Sequence, residues 1–381
     1  MSHARLVVGC MSGTSIDGVD VALVETRGSG VSMSPRFLAF ASVPFPTSLA
    51  ARLRAIADQH PLTAGDITRT SAELCLVHDQ AIRLLNPSRV DLICAHGQTV
   101  FHHPPLSWQM FSPAPLAHAW NCPVVFDLRA ADLAAGGQGA PLTPLADWIL
   151  LREALASRQP NGPGVIVNLG GFLNATILPH AHNNVSSIRG LDVCPCNHLL
   201  DAIARDRLGL PYDADGRLAL QGQPHAHAAD ELLRSFASGR SLGTGDEARS
   251  WITRWTALTP QDALATACSA IADALAKRLA DQLAGEHERG APAYVALAGG
   301  GSFNQSLSRA IERALTRDLS TSTTVVSLAS LGLPPQAREA ACFAVLGALC
   351  QDGVGISLPH ITGCAPTATG LGPRAGSWFY P

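Results

Sequence analysis

Ser12, Gly13, Thr14 and Ser15 stand between two β-branched runs, residues 6–10 and 19–24, and Asp17, Gly18 and Asp20 follow directly. Hydroxyls and backbone N–H groups gathered on a turn whose glycine can take φ > 0 suit an anion, above all a phosphate. A carboxylate beside such a turn suits a hydrated magnesium ion, which makes Asp17 the candidate metal contact. An ordinary glycine-rich hairpin draws on the same residue types, so the loop alone leaves both readings open. The theme returns at residues 165–178, where two apolar runs flank Asn168, Gly170, Gly171 and Asn174. Residues 294–298 then run into Gly299, Gly300 and Gly301 with Asn304 behind them, a turn bare enough for close approach to a flat base or ribose. Residues 90–99 form the matching stretch of the first half, a buried strand carrying His96, Gly97, Gln98 and Thr99 at its end, where ligands sit in open α/β sheets.

The elements that must position these residues follow from periodicity. Residues 36–43 read as a third strand, 48–58 and 64–85 as amphipathic helices, 122–128 as a short strand and 144–157 as a helix. Residues 159–164, Gln-Pro-Asn-Gly-Pro-Gly, read as a linker. Further helices are expected at 197–208, from about 226, from about 260, and at 335–350, the last returning to the first half. Each half thus holds one glycine-turn hairpin and one buried strand ending in glycine, which reads as a structural duplication. The expected domains are residues 1–160 with 336–381, and residues 161–335.

The 381 residues are 47% hydrophobic and 15% charged, the latter well below the roughly 25% of typical globular chains, with a formal net charge of −3. Such a surface has no basic field for nucleic acid or an anionic membrane. Lys277 is the single lysine, so a Walker A loop is excluded and any phosphate must meet backbone amides, hydroxyls, arginine or metal. No signal peptide and no run of 18 apolar residues is evident, and ten scattered cysteines suit reduced thiols, so a cytoplasmic protein is expected. Cys194 and Cys196 lack the second pair that a zinc site needs. The histidine pairs His102/His103, His180/His182 and His225/His227 lie on expected loops without a third ligand and read as exposed. The apolar balance leaves room for a homodimer.

Residues 9–20, Gly-Cys-Met-Ser-Gly-Thr-Ser-Ile-Asp-Gly-Val-Asp, closely resemble the opening signature of the anhydro-N-acetylmuramic acid kinases, members of the actin, sugar-kinase and Hsp70 superfamily. The resemblance continues in order through residues 95–99 with His103 and Pro104, 134–141, 168–171 with Asn174, Asp192 with Pro195 and Asn197, Gly299 to Gly301 with Asn304, 333–335 with Glu339, and Thr362-Gly363. It implies an α/β fold of two duplicated ribonuclease-H-like (actin-like ATPase) domains with a nucleotide cleft between them. It also implies ATP and Mg2+ as cofactors and an anhydro-amino sugar as substrate. In the family's reaction, water opens the 1,6-anhydro bridge at C1 and the freed O6 takes the γ-phosphoryl group of ATP. By the resemblance, Asp192 is the base and Glu339 a catalytic carboxylate near the sugar. Ser12, Gly13, Thr14, Asp17, Gly18, Asn168, Gly170, Gly171, Gly299, Gly300, Gly301 and Asn304 serve the nucleotide. His96, Gln98, Thr99, Arg129 and Asn197 serve the sugar, with Arg129 a candidate for its lactyl carboxylate. Simpler roles stand beside three of these: Asp192 as a cap of the helix near Asn197, Glu339 as a solvated helix residue, and Arg129 as an interdomain salt bridge to Asp132.

The chain departs from the family where Val193-Cys194-Pro195-Cys196 replaces a Thr-Gly-Pro segment, where Phe111 replaces a glycine beside the expected sugar end, where residues 242–247 lose the cations usual there, and where Phe303 replaces a histidine before Asn304. These differences motivate two alternatives, a kinase of another sugar or amino sugar and a weakly catalytic nucleotide sensor. A metal hydrolase is the outside reading.

Overall fold

The computed structural model describes residues 4–157, 163–179, 185–236, 242–243, 245–246, 248–284, 292, 294–319 and 323–381. Residues 159–162 of the expected linker, His180, His182, Thr244 and Glu247 lie outside this set.

The opening β-branched runs form β1 (Arg5–Ser12) and β2 (Gly18–Arg27), and the chain continues into β3 (Ser34–Pro44). The buried stretch at 90–99 is longer than expected. As β4 (Leu92–His103) it passes straight through Gly97 and turns back as β5 (Leu106–Met110), a hairpin with a register shift at Thr99/Phe101. A short β6 (Val124–Phe126) follows. The second set is β7 (Gly164–Leu169), β8 (Phe172–Leu178), β9 (Arg189–Pro195), β10 (Tyr294–Ala298) and β11 (Thr324–Ser327), and β12 (Ser377–Phe379) closes the chain.

These strands build two sheets of one topology. The path β3-β2-β1-β4-β6 has antiparallel pairs β2/β3 and β1/β2 and parallel pairs β1/β4 and β4/β6. The path β9-β8-β7-β10-β11 repeats it pair for pair and sense for sense. The duplication legible in the glycine turns is therefore a duplication of fold. The chain divides into two compact units, Met1–Arg152 with Gln336–Pro381 and Glu153–Pro335. Val8, Cys10, Ile93 and Val124 anchor one core, and Val165, Val167, Val295 and Leu297 the other. No helix among the described residues is long and apolar enough to cross a membrane.

Within the first unit, the helix Arg338–Gln351 lies on the face of β1 and β4 opposite that core, and glycines set how closely it approaches. A Cβ on Gly9 would stand 1.9 Å from Ala340 O and 2.3 Å from Ala344 N, and one on Gly347 would stand 2.5 Å from Cys94 Cβ. Backbone cannot yield as a flexible side chain can, so Gly9→Ala is expected to cost about 3 kcal/mol and to lower the melting temperature by several degrees. A melting curve superimposable on wild type would mean that the helix does not rest there.

The same helix carries a fully buried ion pair. Arg338 Nε donates to Asp147 Oδ1 at 2.8 Å, and Nη2 donates both to Asp147 Oδ2 and, at 3.1 Å, to Thr143 Oγ1. Burial alone would pull the guanidinium's pKa down, but Asp147 outweighs it and holds Arg338 cationic.

Candidate active site

The β1–β2 loop takes its shape from a residue that the sequence does not single out. Gly13 and Gly18 do not adopt positive φ; Ile16 does, at 53°, an unfavourable conformation for a β-branched side chain. Its side chain is buried in the core below, and Arg54 Nη2 donates to its carbonyl at 3.2 Å, which together hold it. Strain of this kind, kept by its surroundings, is characteristic of ligand-binding loops. Gly18 serves close approach, because a Cβ there would lie 2.5 Å from Val43 O. Behind the loop, Ser12 Oγ donates to Gly97 O at 3.0 Å and Gln98 Nε2 to Gly13 O at 3.0 Å, tying the turn to β4.

Asp17 is exposed at the mouth of this loop, while Asp20 sits half-buried at the start of β2 and Glu339 in the first turn of the helix Arg338–Gln351. Burial pushes the Asp20 carboxyl up to about 6, opposed by a hydrogen bond from Ser42 and reinforced by the charges of Asp17 and Glu339. The folded state therefore holds a proton that the unfolded chain, titrating near 4, releases. Stability is greatest below pH 4 with respect to this group and falls as pH rises to 6. Asp20→Asn is expected to flatten that slope and to add about 1–2 kcal/mol at pH 7, read by urea unfolding across pH 4–7. An unchanged slope would place the proton on another group.

His96, Arg129 and the glycine loop at 136–139 form one hydrogen-bonded set. His96 is buried; its Nδ1 donates to Gly97 O at 2.7 Å, and its Nε2 accepts from Arg129 Nε at 3.2 Å and Nη2 at 2.9 Å. Burial and the adjacent guanidinium push its pKa down to about 3, so the ring is neutral and acts as an acceptor that orients Arg129. Arg129 Nη1 also donates to Gly139 O at 2.6 Å. Asp132 belongs to the same unit, and its oxygens accept from Gly139 N and Thr362 Oγ1, so the expected interdomain bridge is replaced by a local network. Thr99 lies in the β4–β5 hairpin, within 3.4 Å of Gln109 Nε2.

In the second unit, Asp192 lies within β9, and the helix that was its alternative partner, Asn197–Leu208, has Cys196 at its N-cap position. The capping role is thus removed. Asp192 pairs with Asn174 of β8 next to a register shift that leaves Val193 as an extra residue, a bulge of the kind that re-aims a neighbouring side chain. Val193 and Cys194 face the core, and the carboxylate Oδ2 of Asp192 accepts from Leu242 N at 3.0 Å. That amide is a site contact the sequence cannot announce, since it is a backbone group from a distant loop.

The β7–β8 turn stands against the triple glycine. Gly299 takes φ 78°, and a Cβ on it would meet Asn168 Oδ1 and Leu169 O at 2.8 Å, while one on Gly301 would meet Leu169 Cβ at 2.8 Å and Asn197 Oδ1 at 2.9 Å. Gly170 and Gly171 keep negative or extended φ; a Cβ on Gly171 would strike the His198 ring at 2.4 Å. Asn197 bridges the two pieces through Nδ2 to Leu169 O at 3.2 Å. Asn304 Oδ1 caps the helix Gln305–Asp318 by accepting from Leu307 N at 3.0 Å, so its oxygen has a structural duty, and Gly300 stands exposed between these groups. Gln98 Oε1 and Asn168 Oδ1 are both buried acceptors without a donor, one beside each glycine turn. Buried polar atoms are nearly always satisfied, so two such oxygens at equivalent turns are suited to ligand donors.

Three residues singled out by the sequence have structural partners, and for one of them, His102, the expected exposure is corrected. Phe111 is half-buried beside Gly97 and packs on the buried His78 at 5.0 Å and Phe126 at 6.0 Å between ring centroids, against the first core. His102 is part-buried, bonded to Ser107 Oγ at 2.9 Å and pushed down to about 4 chiefly by burial. His225 is exposed as expected, but it has a task as the N-cap of the helix Ala226–Ser235. All ten cysteines are free, and burial pushes the thiols of Cys194 and Cys196 up, away from metal or redox chemistry. Among the described residues, no group of three or more His, Cys, Asp or Glu side chains is gathered as a metal site.

The family model of the anhydro-N-acetylmuramic acid kinases matches residues 5–375. The chain belongs to this family. The anhydro-N-acetylmuramic acid kinase of Salinibacter ruber is 35% identical to it, with 97% of this chain and 95% of that protein covered. The enzyme of the same name from Synechococcus is 36% identical over 97% and 98%. That from Bordetella pertussis is 35% identical over 94% and 93%. Coverage this complete takes in both of the sheets of one topology and the loops described above.

Proposed function

We propose that the protein uses ATP and water to convert 1,6-anhydro-N-acetylmuramic acid to N-acetylmuramic acid 6-phosphate, a step of peptidoglycan recycling. Asp192 takes a proton from water as the water oxygen bonds to C1 and the C1–O6 bond breaks. O6 then attacks the γ-phosphorus and ADP departs. The observation that carries this reading is Asp192, a carboxylate turned by a β-bulge and held by the Leu242 amide. A base so fixed needs little reorganisation when the proton moves.

Phosphoryl transfer asks mainly for positioning and charge neutralisation. Ser12, Gly13 and Thr14 supply phosphate donors, with Gly18 allowing their approach. In the second unit Asn168, Gly170, Gly171 and Gly299 to Gly301 accommodate the nucleotide, and Asn304 shapes that turn. His96, Gln98, Thr99, Arg129 and Asn197 bind or orient the sugar, and Glu339 lies near it. Magnesium suits the acidic side of the first loop. The charges of Asp17 and Glu339 are felt at Asp20, and a hydrated ion needs only one or two carboxylates, with Asp17 the contact. When bound, it neutralises phosphate charge. The two units are the two domains of the duplicated fold, and the setting is cytoplasmic.

The test is ADP release with and without the anhydro sugar. Sugar-dependent release, with a product heavier by one water and one phosphoryl group, is expected. Release with an unbridged amino sugar in preference would replace the proposed acceptor.

A further inference from the structure

Arg129 can recognise a carboxylate only if its fork is held in one direction, and the groups that hold it lead to a residue pair far apart in sequence. Arg129 hangs on Gly139 O. Gly139 N in turn donates to Asp132 Oδ2 at 2.7 Å, and Thr362 Oγ1 donates to Asp132 Oδ1 at 2.7 Å. Asp132 and Thr362 are both fully buried. Main-chain bonds run alongside: Gly137 N to Asp132 O at 2.9 Å, Gln138 N to Thr362 O at 2.9 Å and Ala365 N to Ala135 O at 2.8 Å. The loop has no slack at this point, because a Cβ on Gly137 would fall 2.2 Å from Asp132 Oδ2 and 2.8 Å from Cys364 Cβ. A buried carboxylate held by two short hydrogen bonds is a rigid anchor, since loss of either leaves an unsatisfied charge in the core.

We propose that the Asp132–Thr362 pair is a latch that positions the sugar end of the site: it pins the glycine loop on which Arg129 is hung and so fixes where the guanidinium meets the substrate's carboxylate. The latch rests on the reading of the protein as an anhydro-sugar kinase and adds to it two positioning residues that do not touch substrate. Thr362→Val removes the hydroxyl and keeps the shape, whereas Thr362→Ser keeps the hydroxyl.

Sugar and ATP saturation curves on the full chain test it. Thr362→Val is expected to raise KM for the anhydro sugar about tenfold, to leave KM for ATP within about twofold, and to speed amide exchange at Gly139 about tenfold, with Thr362→Ser near wild type in all three. A sugar KM that does not move, sugar and ATP constants that rise together, or a serine variant as impaired as valine would overturn the latch. Should the valine variant not fold, Asp132→Asn carries the same test with the same expected split. Wild-type protein that releases no sugar-dependent ADP would sink the functional reading, and the latch's role with it; that failure appears before any substitution is made.

Discussion

Asp192→Asn is expected to leave folding and ATP binding intact while lowering sugar-dependent turnover by about 10²–10⁴-fold, nearly all of it in kcat. Asparagine keeps an oxygen for the Leu242 N–H, so the bulge and its loop contact survive and only the ability to take a proton is lost. The measurement is initial rates of ADP release against sugar concentration, with nucleotide affinity read separately by calorimetry. Turnover within a few fold of wild type would dismiss Asp192 as base and direct attention to Glu339, the other carboxylate assigned to the sugar. A loss of ATP binding of the same size would show that the substitution had disturbed the unit as a whole.

The second large effect concerns stability. Asp147→Ala is expected to destabilise the protein by about 3–5 kcal/mol, since it leaves the fully buried Arg338 with the Thr143 hydroxyl and without the carboxylate it is bonded to. Replacing both partners by apolar residues, as in Asp147→Leu with Arg338→Met, should recover most of that loss, because the cost lies in the stranded charge and not in the absent attraction. Denaturant unfolding of the two variants decides the matter; a single variant within about 1 kcal/mol of wild type would mean that water reaches the guanidinium. Glu339 follows Arg338 directly, so the pair also fixes the turn that presents that carboxylate.

Local chemistry is what the sequence made legible. The glycine turns and their β-branched flanks fell where β1/β2 and β7/β8 lie, and the helix expected at 197–208 is found at Asn197–Leu208. The helix Ala64–Leu84 announces itself by period and by Thr63 and Asp66, which form its capping box. What escaped is whatever depends on partners distant in sequence. Nothing local marks Val193 as a bulge, since the register shift is a property of two strands together. Nothing local joins Asp147 to Arg338 or Asp132 to Thr362, and a buried Asp or Arg reads as a surface charge until its partner is known. The positive φ at Ile16 escaped for the opposite reason: glycines nearby offered the obvious place for it, and core burial of the isoleucine side chain overrode that preference.

The order of the elements along the chain has a bearing on biosynthesis. β1 and β4 leave the ribosome early, yet the helix that Gly9 and Cys94 are shaped to receive is translated only after all of Glu153–Pro335. The nascent N-terminal sheet therefore waits with one apolar face uncovered while an entire second unit, continuous in sequence, emerges and can close on itself. Completion of the first unit thus waits on synthesis of the second, and the carboxylate of Glu339 arrives with it. A chain stalled or clipped before that helix has its β1–β2 loop but not the helix that covers β1 and β4, so the cell's chaperones and proteases would meet that uncovered face.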